Sequence, residues 1–370
     1  MESHLEVYLR NLAVILLAII LFVFTPIFIF NWILFSLFRG TVLITAWLFR
    51  PDLTAPLDVV QEAMALERIH SKPKMNILVY NIVEGTVSVN DFRARFEKNI
   101  LNLTDGKGTL VYPELKQFKA TFLNKYFWKC DKNFDLKNHV RLYDYPGETI
   151  KLPKPCNEAD LEKVTGDLLA HPWKKGQSPW EILFIHNYRE NETESMKTVF
   201  IFRIHHSLTD GYGILKIIWR LLDNPSQVKF PQPTFPQLNF VQRCVIYMRL
   251  PFYMYYYLAL AVVDGFDFKN SWHLRDKKLS RNYNTCLVKP IPISVIKEIK
   301  QKYGVGYNSV LAAIVSGGIR KVMEENGQKI PESMGVFMPL PLPNHPEGLG
   351  THASVQIFVD TFNCISIRVF

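Results

Sequence analysis

Cysteine pairs, metal-ligand motifs and the common catalytic signatures are missing from this sequence of 370 residues. It contains no Gly-x-Ser-x-Gly elbow, no His-Glu-x-x-His pair and no glycine-rich phosphate loop. No Cys-x-x-Cys pair is present, and the five cysteines are scattered: Cys130, Cys156, Cys244, Cys286 and Cys364. This arrangement predicts neither a zinc site nor a disulfide framework, and it fits a reducing compartment.

Charged side chains are absent from residues 11–38, a run of 28 residues. The run is longer than the roughly 20 apolar residues that cross a bilayer. It also exceeds the roughly 7–15 residues of a signal-peptide core, and no small-residue cleavage site follows it. We therefore predict a membrane anchor within residues 1–50. It is either one tilted transmembrane span over residues 12–34 or a hairpin bent at Pro26.

Basic residues are distributed unevenly around this apolar run. Arg10 precedes it, whereas Arg39 and Arg50 follow it. The positive-inside rule then predicts that the body of the protein faces the cytosol, at the endoplasmic reticulum or alternatively at lipid droplets or the plasma membrane. The net charge of +9 is not concentrated in a basic cluster that accompanies a nucleic-acid motif. We expect it to serve an anionic membrane surface, and we expect no nucleic-acid partner.

The most informative stretch is a predicted strand that is followed by a pair of histidines. Residues 198–204 are mostly β-branched or aromatic, which is typical of a buried strand. The next residues are, in order, His205, His206, Ser207, Leu208, Thr209, Asp210 and Gly211. Apolar residues then recur at helical spacing over 214–222, so the chain is predicted to leave the turn as a helix. The histidines therefore lie between a strand and a helix, where α/β folds usually place their chemistry.

Each feature of this stretch also has a purely structural explanation. An Asp-Gly pair before a helix is often only a cap and a turn, and a histidine at a strand end is often a core residue. The combination favours catalysis, because imidazole has an unperturbed pKa that suits a general base near neutral pH. Without a nucleophile motif, the simplest chemistry is direct: a histidine deprotonates an acceptor, which attacks an activated acyl group.

The motif resembles the His-His-x-x-x-Asp-Gly active-site motif of the CoA-dependent acyltransferase superfamily. This superfamily includes chloramphenicol acetyltransferase, peptide-synthetase condensation domains and the wax ester synthase/diacylglycerol acyltransferase family. Three further stretches resemble the last family. Residues 133–140 are similar to its Phe-Asp-Leu-x-x-His-Val segment, residues 178–181 to its Pro-Leu-Trp-Glu, and residues 308–313 to its Asn-Asp-Val-Leu-Leu-Ala. Together the matches extend from about residue 76 to residue 360.

The resemblance implies a membrane-bound O-acyltransferase that moves a long-chain acyl group from acyl-CoA, its co-substrate, to a fatty alcohol or diacylglycerol. It implies no bound cofactor and no metal. His206 would be the general base, and His205 would support it. Asp210 would hold the loop without touching substrate, and Gly211 would permit the turn and a close approach of substrate. Two alternatives stay open: a catalytically silent protein that binds lipid or acyl-CoA, and acyl transfer to another acceptor.

The resemblance also implies an α/β fold of the two-domain chloramphenicol acetyltransferase type after the anchor. We predict a first domain over 51–225, a crossover over 226–284 and a second domain over 285–370. The second domain is expected to be incomplete, because relatives continue beyond this point. The crossover contains an aromatic stretch, 240–268, which fits an interfacial helix, a wall of a substrate tunnel or a buried helix. Thr351 occupies a position where the family usually has asparagine.

Two histidines outside the motif, His139 and His186, lie in segments that are predicted to be strands. The stretch around His139 resembles part of the family's folded core, and His186 alternates with apolar residues. We expect both side chains to have packing roles.

Overall fold

The structure is a computed structural model. It describes residues 4–145, 151–190, 195–223, 237–265, 283–286, 288, 290–331, 333–342 and 344–361.

The strands and helices alternate along most of the chain. The strands are β1 (Leu53–Pro56), β2 (Asn76–Glu84), β3 (Gln117–Phe122), β4 (Lys125–Cys130), β5 (Val140–Leu142), β6 (Trp180–Tyr188), β7 (Lys197–His205), β8 (Ser333–Pro341) and β9 (Ala353–Thr361). The helices are α1 (His4–Val23), α2 (Thr25–Phe49), α3 (Val59–Ala65), α4 (Val89–Phe96), α5 (Leu136–His139), α6 (Glu158–Ala170), α7 (Gly211–Arg220), α8 (Phe240–Gly265), α9 (Ile293–Tyr303) and α10 (Tyr307–Glu325). The predicted α/β class is confirmed. The chloramphenicol acetyltransferase-like arrangement and the domain boundaries stay predictions.

A four-stranded mixed sheet carries the histidine motif. Its strand order is β2-β7-β6-β5. Strand β7 pairs antiparallel with both β2 and β6, and β5 runs parallel to β6. Because β7 is an inner strand covered on both faces, its sequence is almost continuously apolar instead of alternating. The predicted strand over 198–204 is confirmed. His205 is the last residue of β7, so it lies where this inner strand leaves the sheet.

Helices cover the two faces of this sheet. On one face, Phe96, Trp180 and Phe202 pack with Ile214 and Ile217 of α7. On the other face, the buried residues of α6 pack against alternate residues of β6 and β7: Leu161, Val164, Leu168, Leu183, Ile185, Val199 and Ile201. The apolar positions of α7 recur at helical spacing, so the helix that leaves the motif is held by the same core as the strand that enters it.

Two smaller sheets accompany the central one. Strands β1, β4 and β3 form an antiparallel sheet in that order, and β8 pairs antiparallel with β9. The loop between β8 and β9, residues 342–352, returns toward the start of α7, where Asp210 donates its backbone N–H to the carbonyl oxygen of Gly350 over 3.3 Å.

The N-terminal apolar run forms two helices instead of one. Phe24 separates α1 from α2, and Pro26 lies in the first turn of α2, where its missing N–H is tolerated. The predicted single helix over 12–34 is therefore wrong, and an interruption beside Pro26 is present. Helix α2 is long and apolar enough to cross a membrane, judged by length and composition alone.

The aromatic stretch forms the long helix α8, which packs against α1. The ring of Phe22 lies 6.1 Å from that of Phe252 and 5.7 Å from that of Tyr255, and Thr25 Oγ1 is 2.7 Å from the Tyr255 hydroxyl. Most of α8 is exposed; Phe240, for example, is 80% accessible. The buried-helix alternative for this stretch is therefore wrong. Residues 240–263 are also long and apolar enough to cross a membrane.

A buried ion network ties together the ends of β5, β6 and β7. Glu181 accepts from Arg203 over 2.8 Å, from Arg141 over 3.1 Å and from the Tyr145 hydroxyl over 2.8 Å. The Arg203 side chain is fully inaccessible, and its guanidinium lies over the Trp173 ring at 3.9 Å. Burial alone would raise the pKa of Glu181, but the two arginines lower it below the ordinary glutamate value.

We expect Glu181→Ala to destabilise the protein by about 3–5 kcal/mol, because it leaves the buried charge of Arg203 without its partner. Asp223→Ala is the control: it breaks the exposed Arg95–Asp223 pair, whose contribution is at most about 1 kcal/mol. Denaturant unfolding in detergent measures both. Since the pKa of Glu181 is lowered in the folded state, its stabilisation is complete above the ordinary glutamate pKa and is lost as pH falls through the lowered value. Equal effects of the two substitutions would contradict the assignment.

Candidate active site

The histidine motif is a short turn between β7 and α7. Asp210 is the N-cap of α7, and its carboxylate accepts the backbone N–H of Gly213 over 2.9 Å. The predicted strand, turn and helix are thus confirmed. Gly211 does not adopt a left-handed conformation, and a Cβ there would have no described atom within 4 Å, so the backbone of the turn does not require glycine at this position. The expected role of Gly211 in a close approach of substrate stays a prediction. Gly213 is the constrained glycine, because a Cβ there would lie 2.0 Å from Thr209 Oγ1.

His205 is fully buried, and both of its ring nitrogens are engaged. Nε2 lies 2.6 Å from Oε1 of Glu67, and Nδ1 accepts the backbone N–H of Ser207 over 3.1 Å. This pattern fixes the neutral tautomer that carries its proton on Nε2. Burial lowers the pKa of His205, although the Glu67 carboxylate opposes the shift. The side chain of His205 is therefore held in place, and both of its ring nitrogens are occupied by hydrogen bonds.

His206, the second histidine, is bound differently. Its backbone N–H donates to the carbonyl oxygen of Met75 over 2.8 Å, which fixes the turn against the start of β2. The side chain is half-buried, and within the described part of the chain its buried Nδ1 has no hydrogen-bond partner. A buried nitrogen without a partner costs free energy, which a bound ligand could recover. Of the two histidines, only His206 therefore has a ring nitrogen that no described group binds.

Asp210 joins the motif to a loop of the second half of the chain. Its carboxylate accepts the backbone N–H of His352 over 2.9 Å and lies 3.1 Å from Nε2 of His345. Nδ1 of His345 faces a second acceptor, the carbonyl oxygen of Pro346, at 3.0 Å. A proton on Nε2 of His345 makes this ring a donor to the Asp210 carboxylate, and an ionised acceptor strengthens that hydrogen bond. Burial would raise the pKa of Asp210, but these donors and the Gly213 amide lower it.

His345 and His352 were not among the residues predicted from the sequence. The one local signal is that Leu349 and Gly350 stand beside Thr351, at the position where the family usually has asparagine. In the structure, the segment around Gly350 contacts the histidine motif. The Gly350 carbonyl oxygen accepts hydrogen bonds from the backbone N–H of Asp210 and from Thr209 Oγ1. Within the described residues, Thr351 Oγ1 is buried without a partner.

A small pocket opens beside the Glu181 network and not at His206. It measures about 60 Å³, and its lining includes His139, Arg141, Tyr145, His171, Trp173 and Glu181. Arg141 and Tyr145 are already bonded to Glu181, and a space of this size holds only about two waters. The pocket is therefore too small for a CoA thioester, and the candidate site is assigned from the geometry of the motif.

His139 and His186 lie outside the site. His139 is the last residue of α5 and not part of a strand; its ring stacks on Trp180 at 4.6 Å, and its Nδ1 is 2.7 Å from the Trp180 carbonyl oxygen. His186 lies in β6 as predicted, with its Nε2 buried and unpaired among the described residues. In the part of the chain that the structure describes, no three His, Cys, Asp or Glu side chains are grouped so that they could hold a metal ion.

Comparison with known families identifies one domain. Residues 83–244 match the family model described as the wax ester synthase/diacylglycerol acyltransferase catalytic domain. The matched range contains the whole histidine motif, and the match confirms the resemblance that the motif indicated.

Individual relatives are distant and are only partly covered. A Mycobacterium tuberculosis protein provisionally named a diacylglycerol O-acyltransferase is 22% identical over 245 residues, which span 58% of this chain and 48% of that protein. The M. tuberculosis protein tgs1, provisionally named in the same way, is 28% identical over 103 residues, or 28% of this chain and 20% of that protein. The chain thus covers less than half the length of each of these relatives.

The solved structures to which this chain is similar include a wax ester synthase/diacylglycerol acyltransferase and a condensation domain. The wax ester synthase/diacylglycerol acyltransferase from Marinobacter aquaeolei VT8 is 16% identical, with a TM-score of 0.47 over 77% of this chain and 64% of that chain. The first condensation domain of the calcium-dependent antibiotic synthetase is 9% identical, with a TM-score of 0.46 over 83% of this chain and 69% of that chain.

We expect Asp210→Asn to release the loop that carries His352 while leaving the helix cap in place. The amide oxygen can still accept from Gly213, but the amide N–H₂ repels the donors of His345 and His352. Charge-assisted hydrogen bonds contribute about 1.5–3 kcal/mol, so hydrogen exchange at the His352 amide should accelerate about 10- to 100-fold. Mass-spectrometric exchange on the variant, with Asp223→Asn as control, measures this. An unchanged exchange rate at residue 352 would show that Asp210 does not hold the loop.

Proposed function

We propose that this chain, whose residues 83–244 belong to the wax ester synthase/diacylglycerol acyltransferase catalytic-domain family, is an acyl-CoA-dependent O-acyltransferase. The acceptor is a fatty alcohol or a diacylglycerol, and the product is a wax ester or a triacylglycerol. The observation that carries the proposal is the His206 imidazole, which has a buried nitrogen without a hydrogen-bond partner among the described residues, in a turn that is fixed on both sides.

A single base, which first accepts a proton and later returns it, is sufficient for the proposed reaction. His206 removes the proton from the acceptor hydroxyl as that oxygen attacks the thioester carbonyl carbon of acyl-CoA. The tetrahedral intermediate then collapses, the carbon–sulfur bond breaks, and the imidazolium of His206 returns the proton to the departing CoA thiolate. No covalent acyl-enzyme is formed, in keeping with the absence of a nucleophile motif from the sequence.

Asp210 serves this reaction from a distance. Its carboxylate is engaged by Gly213, His345 and His352, so it has no capacity left for substrate. It fixes the start of α7 and holds the loop 345–352 against the turn. The acceptor and the thioester then meet at His206 between the two segments that Asp210 joins. This geometry supports proximity as the second contribution to catalysis.

The apolar helices support a location of the protein at a membrane. Helix α2 and residues 240–263 each have the length and composition of a membrane-crossing helix, and α1 packs against α8 through aromatic rings. Phe240, Tyr247 and Phe252 are at least 66% exposed, which suits a lipid environment. We propose that the protein lies in the endoplasmic reticulum membrane with its body in the cytosol, where acyl-CoA and long-chain acceptors are both accessible.

His206→Ala should lower acyl transfer by about 10²–10⁴-fold, because a positioned general base contributes about that much. Membranes containing the full chain are given labelled acyl-CoA with fatty alcohol or diacylglycerol, and the neutral-lipid product is quantified. His186→Ala is the matched control, because it removes another half-buried histidine with an unpaired nitrogen, on the neighbouring strand.

Product that disappears only in His206→Ala supports the proposal and identifies the acceptor. Product that survives in His206→Ala removes this histidine from the mechanism. Binding of acyl-CoA by the wild type without turnover would instead favour a catalytically silent lipid-binding protein.

The orientation of the protein in the membrane can be tested with two native residues of its body. Asn102 begins an Asn-Leu-Thr sequence and is exposed, and Cys130 is an exposed free cysteine. With the body in the cytosol, Asn102 stays unglycosylated, and a membrane-impermeant maleimide labels Cys130 in sealed microsomes before any detergent is added. A mobility shift that endoglycosidase H removes would place the body in the lumen.

A further inference from the structure

We propose that Glu67 is a positioning residue of this active site, which holds the catalytic turn by anchoring His205. The inference rests on the function proposed above and adds a residue outside the histidine motif. Glu67 lies in the segment between α3 and β2, whose sequence carries no catalytic signature.

Hydrogen bonds connect the Glu67 carboxylate to both histidines of the motif. Oε1 contacts Nε2 of His205 at 2.6 Å and accepts the backbone N–H of Met75 over 3.0 Å. The carbonyl oxygen of Met75 accepts the backbone N–H of His206 over 2.8 Å. Glu67 therefore binds the side chain of the first histidine directly and reaches the backbone of the second through one residue.

The carboxylate also decides which nitrogen of His205 carries the proton. An acceptor at Nε2 requires a proton there, which leaves Nδ1 free to accept from the Ser207 amide at 3.1 Å. That second bond shapes the turn directly after His206. Through one tautomer, Glu67 controls the backbone on both sides of the proposed base.

The segment that carries Glu67 is itself rigidly attached. Ile69 is buried, and its carbonyl oxygen accepts the backbone N–H of Trp173 over 3.0 Å. The second carboxylate oxygen, Oε2, accepts the backbone N–H of Lys74 over 2.8 Å. The carboxylate is thus held by the chain on its own side, which a positioning residue needs in order to orient something else.

The charged groups around the Glu67–His205 pair imply that the effect of Glu67 on activity depends on pH. The groups that face the Glu67–His205 pair are Lys119 of β3, whose pKa burial lowers, and His206 of the turn. Protonation of His205 at Nδ1 would break the bond that this nitrogen accepts from the Ser207 amide and would leave the Ser207 hydroxyl, 2.8 Å away, as its partner, so acid should rearrange the turn. The negative charge of Glu67 favours that protonation. Its removal should therefore move the acid limb of the kcat/KM profile to lower pH.

The test compares the full-length wild type with Glu67→Gln in membranes. The variant keeps the shape of the side chain but loses its charge and one acceptor. Glu62→Gln is the matched control, because Glu62 lies on α3, pairs with Lys125 at 2.8 Å and makes no contact with the turn. Rates are normalised to folded protein. We expect kcat to fall at least about tenfold in Glu67→Gln, with KM for acyl-CoA almost unchanged and the acid limb displaced, while Glu62→Gln stays within about twofold of wild type.

A double-mutant cycle with His205→Asn shows whether Glu67 acts through His205. The asparagine oxygen can replace Nδ1 as an acceptor, but nothing replaces Nε2. We expect the double variant to be no slower than His205→Asn alone, because both changes remove the same contact.

Three results would overturn the inference while leaving the proposed function intact: a Glu67→Gln variant as active as Glu62→Gln, an unmoved acid limb, or losses that multiply in the double variant. A wild type without transferase activity contradicts the proposed function itself. In that case the unfolding temperatures of the same four proteins still test the contact, and additive losses from Glu67→Gln and His205→Asn would overturn it.

Discussion

The Asp210 carboxylate is the interaction on which the candidate site depends. It accepts from the first turn of α7 and from a loop more than 130 residues later in the sequence. One side chain therefore ends the catalytic turn, starts a helix and joins two halves of the chain. Its burial would be unfavourable without these donors, and their number explains why the carboxylate stays ionised with a lowered pKa.

A second carboxylate acts on the other side of the turn. Glu67 engages His205 and the backbone that leads into β2. Among the described residues, His206 therefore lies between the half-buried Glu67 and the buried Asp210 and makes no hydrogen bond to either carboxylate. This differs from a serine-protease triad, in which a carboxylate orients the base directly. Here the orientation of His206, the proposed base, comes through the backbone, because the carboxylates bind its neighbours. The unpaired nitrogen of His206 is a consequence of that arrangement.

Much of the local structure could be predicted, since it follows from patterns of neighbouring residues. The apolar β-branched run predicted β7, and the helical spacing after Gly213 predicted α7. Two features of the local structure differ from what the sequence pattern indicates, each for an identifiable reason. Gly211 stands in an ordinary helix-start conformation, and the steric demand falls on Gly213 because of the Thr209 hydroxyl. The apolar run at the N-terminus is interrupted at Phe24, since Pro26 favours a new first turn.

The sequence by itself determined the resemblance to the wax ester synthase/diacylglycerol acyltransferase catalytic domain, the position of the histidine pair and the apolar helices, because motifs and hydropathy are local properties. Tertiary structure alone decided what holds the histidines. Glu67 reaches His205 across 138 positions, and His345 reaches Asp210 across 135. Nothing near either residue in the chain marks it as a partner, because a hydrogen bond between distant segments depends only on where the sheet and loops bring them. The sequence thus singles out His206 as the proposed base, and the packing of distant segments sets its position.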